Sequence, residues 1–131
     1  MPPHMVNSYR GLLVWHRGMD LVESIYQATK AFPRHEIYGL TAQMRRAAVS
    51  VPSNIAEGHG RSHLGDYLHH LSIANGSLFE LETQLLVAQR LTYLSPSDTE
   101  AALRISGELG RMLAGLARAL RRRATGRAAK P

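Results

Sequence analysis

The 131 residues include no cysteine. That excludes a disulfide framework, a thiolate-ligated zinc site and a thiol nucleophile, and it suits a reducing compartment. Aromatic side chains make up only 6% of the chain, with a single Trp, so the core must rest on aliphatic packing. No apolar run approaches the roughly 18 residues that a membrane span requires. Leu12-Leu13-Val14-Trp15 is too short for the apolar part of a secretory leader, and no charged segment leads into it. A protein of the cytoplasm with no membrane partner is expected.

Acidic residues are missing from one stretch. From Arg118 to Pro131 there are basic residues at Arg118, Arg121, Arg122, Arg123, Arg127 and Lys130, and no Asp or Glu. The chain has 16 Lys+Arg and 10 Asp+Glu, so removing those 6 leaves ten basic against ten acidic residues in the rest. The whole formal charge of +6 therefore belongs to the last fourteen residues. A basic balance points to polyanions, and here it does so for a terminal segment, not for the body. With 44% apolar and 20% charged residues the composition is that of one folded domain, with enough chain for a core.

What the chain has in abundance is helical periodicity. Leu12, Trp15, Met19, Val22 and Tyr26 step by three and four, widened by Leu21, Ile25 and Phe32, and Phe32-Pro33 ends the segment. A second stripe is Leu40, Met44, Ala47, Val51 and Ile55. It stays in phase across Pro52, so one helix kinked at Pro52 is expected, ending near Gly58-His59-Gly60. Tyr67, Leu71, Ala74, Leu78, Leu81, Leu85 and Ala88 form a heptad seam within a third helix from about Ser62 to Leu94. Gly76 interrupts it, at a cost of about 1 kcal/mol relative to Ala; close approach by another helix would account for that, and Gly107, Gly110 and Gly115 suit the same role. Ser95-Pro96-Ser97-Asp98 reads as a helix start. The fourth stripe is Ala102, Ile105, Leu109, Met112, Leu116 and Leu120. No strand pattern competes. The expected fold is all-α, an antiparallel up-down-up-down four-helix bundle over residues 12–120, with a disordered arm over 1–11 and a flexible basic tail over 121–131.

A polar row accompanies the second stripe. Arg46, Ser50, Asn54, Glu57 and Arg61 share one face, and the third helix carries Glu80, Thr83 and Gln84 beside its seam. Such short, mixed polar residues suit a hydrogen-bonded network between helices or subunits, or else a binding row. Histidines at 59, 63, 69 and 70 include an i, i+4 pair, but glycines surround that pair and no carboxylate partner is fixed, so no metal is expected. No catalytic pattern or phosphate loop stands out, and neither enzyme activity nor a cofactor is expected. Trp15 and Tyr67 lie on apolar stripes and are read as packing residues.

These residues carry a resemblance. Phe32-Pro33-Arg34-His35-Glu36-Ile37-Tyr38-Gly39-Leu40-Thr41-Ala42-Gln43-Met44-Arg45-Arg46-Ala47, Ser50-Val51-Pro52-Ser53-Asn54-Ile55-Ala56-Glu57-Gly58, Leu13-Val14-Trp15 and Ile73-Ala74-Asn75-Gly76-Ser77-Leu78-Phe79-Glu80-Leu81-Glu82-Thr83-Gln84-Leu85 together resemble the bacterial four-helix-bundle family, also called the 23S rRNA intervening-sequence protein family. The resemblance spans about residues 12–120. It implies a ring-like homopentamer and kinship with the accessory proteins of diversity-generating retroelements, which look like basic barrels that bind nucleic acid and a reverse transcriptase. It supplies no catalytic residue, and the neutral body departs from the basic barrel.

Two functional expectations follow. One is an oligomeric scaffold that binds RNA or DNA through phosphate contacts of Arg118, Arg121, Arg122, Arg123, Arg127 and Lys130, helped by Arg45, Arg46 and Arg61. The other is a protein-interaction module that scaffolds a partner such as a reverse transcriptase without touching nucleic acid.

Overall fold

The computed structural model describes residues 8–129, with side chains to Gly126. Four helices form: α1 Leu13–Thr29, α2 Leu40–His59, α3 Leu64–Arg90 and α4 Pro96–Ala129, with short 3-10 turns at Tyr9–Gly11 and Arg34–Glu36. No strand occurs among the described residues. The helices pack side by side in the order α1–α2–α3–α4 and back to α1, and among the described residues no diagonal pair approaches as closely. Short links make neighbours antiparallel, so this is the expected up-down-up-down bundle.

Its core is aliphatic. Leu21, Ile25, Met44, Ile55, Leu78, Leu81, Leu85 and Leu109 are fully buried, and each side chain of this size contributes about 1.5–3 kcal/mol through burial. The stripes of α2 and α3 face the core as the periodicity predicts. That of α1 is turned: Val14, Gly18, Leu21, Ile25 and Thr29 are buried, while Met19 and Tyr26 are each 40% exposed. Small residues explain the shift. Gly18 and Thr29 do not register as apolar, yet Gly18 lies close against Pro52 of α2 and Thr29 accepts from Arg45 of α2. Thr29 turns its hydroxyl back onto the Ile25 carbonyl, 2.8 Å away. On α4 the buried line is Thr99, Ala102, Ser106, Leu109 and Leu113, again with two hydroxyls that an apolar count passes over.

The helix α2 runs through Pro52 without a break. The missing N–H leaves the Ala48 carbonyl without its usual helical donor. The ring is buried against α1, where a Cβ placed on Gly18 would lie 3.2 Å from Pro52 Cβ. Gly58 allows the other close approach, since a Cβ there would meet His70 Cβ at 2.8 Å and Tyr67 Cδ1 at 3.1 Å. Of the glycines expected in this role, Gly110 faces α3, where an added Cβ would lie 3.8 Å from Asn75 Oδ1, while the other three do not face a neighbouring helix. Gly76 faces solvent with nothing within 4 Å of an added Cβ, and Gly107 and Gly115 meet only arginines of their own helix.

The links are capped locally. Ser95 Oγ accepts from the Asp98 backbone N–H at 3.1 Å, with Pro96 first in the helix, as the sequence predicts. The helix α3 ends at Arg90, short of Leu94, in a Schellman turn. Tyr93 N–H donates to Ala88 O and Thr92 N–H to Gln89 O, with Thr92 at φ 62. Tyr93 then packs against Phe32 at a 51° tilt, with ring centroids 5.4 Å apart, and donates its hydroxyl to Glu36 Oε2 at 2.9 Å. Glu36 Oε1 accepts the Leu40 N–H at 3.1 Å. These two hydrogen bonds, the backbone one first, hold the Glu36 carboxyl below the usual carboxylate range. The Tyr93–Glu36 hydrogen bond, with burial, raises the Tyr93 hydroxyl pKa in turn. At the other end Arg17 of α1 donates to Glu108 of α4 at 2.9 and 3.1 Å, which raises its guanidinium pKa and ties the first helix to the last.

Both terminal expectations change. Within the 1–11 arm, Ser8 caps the Tyr9–Gly11 turn, and Tyr9 meets the half-buried Trp15 edge-on at 5.2 Å. Residues 1–7 lie outside the described residues. Within the expected tail over 121–131, α4 continues past Leu120 to Ala129, and Lys130 and Pro131 lie outside the described residues. Arg and Ala are strong helix formers, and a lone Gly126 costs too little to stop them.

Candidate nucleic-acid interface and interhelical polar network

The polar row of α2 becomes a chain of contacts with α3. The Ser50 and Ser77 hydroxyls are 2.8 Å apart. Asn54 Nδ2 donates to the Ser50 carbonyl at 2.9 Å and to its hydroxyl at 3.0 Å. That turns the amide oxygen toward His70, whose Nδ1 lies 3.0 Å away and is therefore the donor. His70 Nε2 lies 3.2 Å from Glu57 Oε2, and Glu57 also pairs with Arg61 at 3.0 Å. The network thus joins Ser50, Asn54, Glu57 and Arg61 of the expected set to Ser77 and His70, two residues that sequence reasoning missed. Their signal in the sequence is weak: Ser77 sits one position before the seam residue Leu78, and His70 stands beside His69 with no spacing that ties it to α2.

The rest of the row stays apart. Arg46 is exposed and makes no ion pair among the described residues. Gln84 Nε2 donates to Glu80 Oε1 within α3 at 3.2 Å, leaving Gln84 Oε1 buried and unpartnered. Thr83 bonds back to the Phe79 carbonyl. None of the three reaches α2.

The arginines divide in the same way. Arg45 is half-buried, donates to Thr29 Oγ1 at 2.9 Å and lies 4.5 Å from the centre of the Tyr26 ring. It clamps α2 to α1 and is not presented to a ligand. Arg61 is partly neutralised by Glu57. Arg118, Arg121, Arg122 and Arg123 are exposed on the last turns of α4 and make no ion pair among the described residues. Of Arg127 only the backbone is described, and Lys130 lies outside the described residues.

Antiparallel order places the end of α4 beside the start of α3, where Leu68 and Arg121 line one hollow, and at the same end of the bundle as the end of α2. There burial raises the Tyr67 hydroxyl pKa, and the charge of Arg123 opposes the rise. One end of the bundle therefore gathers Arg61, Arg118, Arg121, Arg122 and Arg123. His59 sits edge-on to Tyr67 at the same end. No group of three or more His, Asp or Glu among the described residues is placed to hold a metal ion, and no helix among them is long and apolar enough to cross a membrane.

Two hollows mark opposite sides of the bundle. One, of about 320 Å³, lies between α1 and α2 and is walled by uncharged residues including Trp15, Met19, Val22 and Val49. The other, of about 520 Å³, lies between α3 and α4.

Fold and surface define an all-α, four-helix-bundle protein with a polar seam between its middle helices and a basic end. The chain belongs to the 23S rRNA-intervening sequence protein family, which it matches over residues 10–115. It is also similar to the crystal structure of a protein with unknown function from the S23 ribosomal protein family of Bacteroides thetaiotaomicron. That TM-score is 0.75 at 20% identity, over 81% of this chain and 96% of the other; at this identity the likeness shows the fold alone. A comparison with curated proteins finds no match.

Proposed function

We propose that the protein is a non-enzymatic, homo-oligomeric helical scaffold of the cytoplasm that binds nucleic acid mainly through phosphate contacts, as an accessory to an RNA or reverse-transcription process. The observation that carries this reading is the group of exposed arginines on α4, Arg118, Arg121, Arg122 and Arg123, which make no ion pair among the described residues. Guanidinium groups in that state attract phosphates with little regard to base sequence. Self-association is supported by the uncharged hollow between α1 and α2, together with Ile73 and Val87 exposed on the outer side of α3. A ring needs such surfaces to be buried between neighbouring copies. A ring multiplies the basic ends, and a homopentamer is the stoichiometry proposed here.

Removing residues 121–131 takes away five of the six terminal basic residues and is expected to weaken retention of labelled RNA or DNA and flatten its salt dependence. If six phosphates of a duplex are neutralised per chain, the log–log salt slope is about −5. Unchanged, salt-insensitive retention by the shortened chain would overturn the phosphate reading. A light-scattering mass equal to one chain would overturn the oligomer. The second reading, a module that scaffolds a protein such as a reverse transcriptase, is favoured by the uncharged hollow itself. Capture of such a partner from nuclease-treated lysate, without retention of nucleic acid, would select it.

A further inference from the structure

The continuation of α4 through Arg123 aligns residues that look scattered in the sequence. Arg104, Arg111, Arg118 and Arg122 are spaced by seven, seven and four, so they fall within about 40° of one another around the helix and span about 27 Å of its length. All four are exposed, and no ion pair among the described residues engages them. Arg111 also lines the 520 Å³ groove between α3 and α4.

The groove has the complementary chemistry. Its α4 wall is low, with Gly110 and Ala114 where larger side chains would fill the space; an added Cβ on Gly110 meets only Asn75 Oδ1, at 3.8 Å. Its α3 wall carries Phe79, a ring left 62% exposed, with Ser72 and Asn75 beside it. Glu82, a carboxylate of the groove, accepts the hydroxyl hydrogen of Ser106 and is held against α4. An apolar slot with an aromatic ring and an amide, edged by a line of arginines, is suited to flat rings strung on a phosphate backbone.

We infer that the α3–α4 groove is a binding track for single-stranded nucleic acid. The backbone follows Arg104, Arg111, Arg118 and Arg122, and an unpaired base enters the groove against Phe79. This rests on the nucleic-acid reading above and narrows it. In a duplex the base faces are covered by their neighbours, so only a single strand can use Phe79. A rod-like duplex can use the arginines alone.

The test is fluorescence anisotropy of the full chain with a labelled oligouridylate and with a blunt RNA duplex of the same length, at several salt concentrations. Light scattering of each variant is run alongside. The wild type should bind the oligouridylate more tightly than the duplex. Phe79→Ala should weaken oligouridylate binding by about tenfold, the stacking loss of a single base, and leave duplex binding unchanged, while Phe79→Trp restores it. Arg111→Ala should reduce the single-strand salt slope by about 0.7. Because Phe79 and Arg111 are surface residues, neither substitution opens the core, and far-ultraviolet circular dichroism verifies folding. Equal binding of duplex and single strand, or oligouridylate binding indifferent to Phe79→Ala, would overturn the track while leaving the wider reading in place. Binding of neither probe would remove both. A drop in molecular mass on Phe79→Ala would make the groove a subunit contact and also overturn the track.

Discussion

Two glycine-to-alanine substitutions test the packing of the bundle against each other. Any such change in a helix interior brings about 1 kcal/mol of helix propensity. At Gly76 nothing lies within 4 Å of the new methyl, so Gly76→Ala should be more stable by that amount. At Gly58 the methyl would stand 2.8 Å from His70 Cβ and 3.3 Å from the Tyr67 carbonyl oxygen. Neither atom is the far end of a flexible side chain, so α2 and α3 must separate. Overpacking of this kind costs about 1–3 kcal/mol. The shift also pulls on His70, which holds Asn54 and approaches Glu57. With the propensity gain set against that cost, a net loss of up to about 2 kcal/mol is expected for Gly58→Ala, placing the two variants about 1–3 kcal/mol apart. Urea unfolding followed by circular dichroism, at one fixed chain concentration so that assembly does not contribute, measures the difference. Equal stabilisation of both variants would refute the close approach of α2 to α3. A loss at Gly76 would refute its openness.

Thr92 holds a β-branched side chain at φ 62, which costs about 1–2 kcal/mol relative to glycine; Thr92→Gly should raise the unfolding midpoint, and a lowered one would contradict the Schellman geometry. The Glu36 carboxyl is held below its ordinary range by the Leu40 N–H and the Tyr93 hydroxyl. Its stabilisation is therefore present above the unfolded carboxylate pKa and is lost as pH falls through the lowered folded one. Glu36→Gln should flatten the acid side of the stability profile, and a profile unaltered by the substitution would show that other carboxylates govern it. Gln84 buries an oxygen with no partner; Gln84→Met should leave stability unchanged or raise it by up to about 1 kcal/mol. A loss beyond about 2 kcal/mol would mean that the assembled protein supplies a partner for that oxygen.

Much of the fold was legible because long helices repeat their signal. The seam from Tyr67 to Ala88 holds over three heptads, so noise at any single position does not displace it. Ser95 and Pro96 mark a helix start through local chemistry that needs no partner. The turned face of α1 was not legible. Gly18 and Thr29 occupy core positions for reasons of distance to Pro52 and Arg45, and no hydrophobicity pattern records a distance. The same limit misassigned the glycines. Cost in the helix is common to Gly58 and Gly76, but only the first has a neighbour against it.

For the candidate site the division falls between charge and placement. The sequence alone establishes how much positive charge there is, that it collects late in the chain, and that Ser50, Asn54 and Glu57 share a face, since these depend only on composition and helical period. Tertiary structure decides which groups remain available. It spends Arg45 on Thr29 and Tyr26, pairs Arg61 with Glu57, and brings Ser77 and His70 to the polar row from 27 and 16 residues away. It leaves Arg111 and Phe79 on the two walls of one groove. Those outcomes depend on which helix lies beside which, and that is settled by packing over the whole bundle.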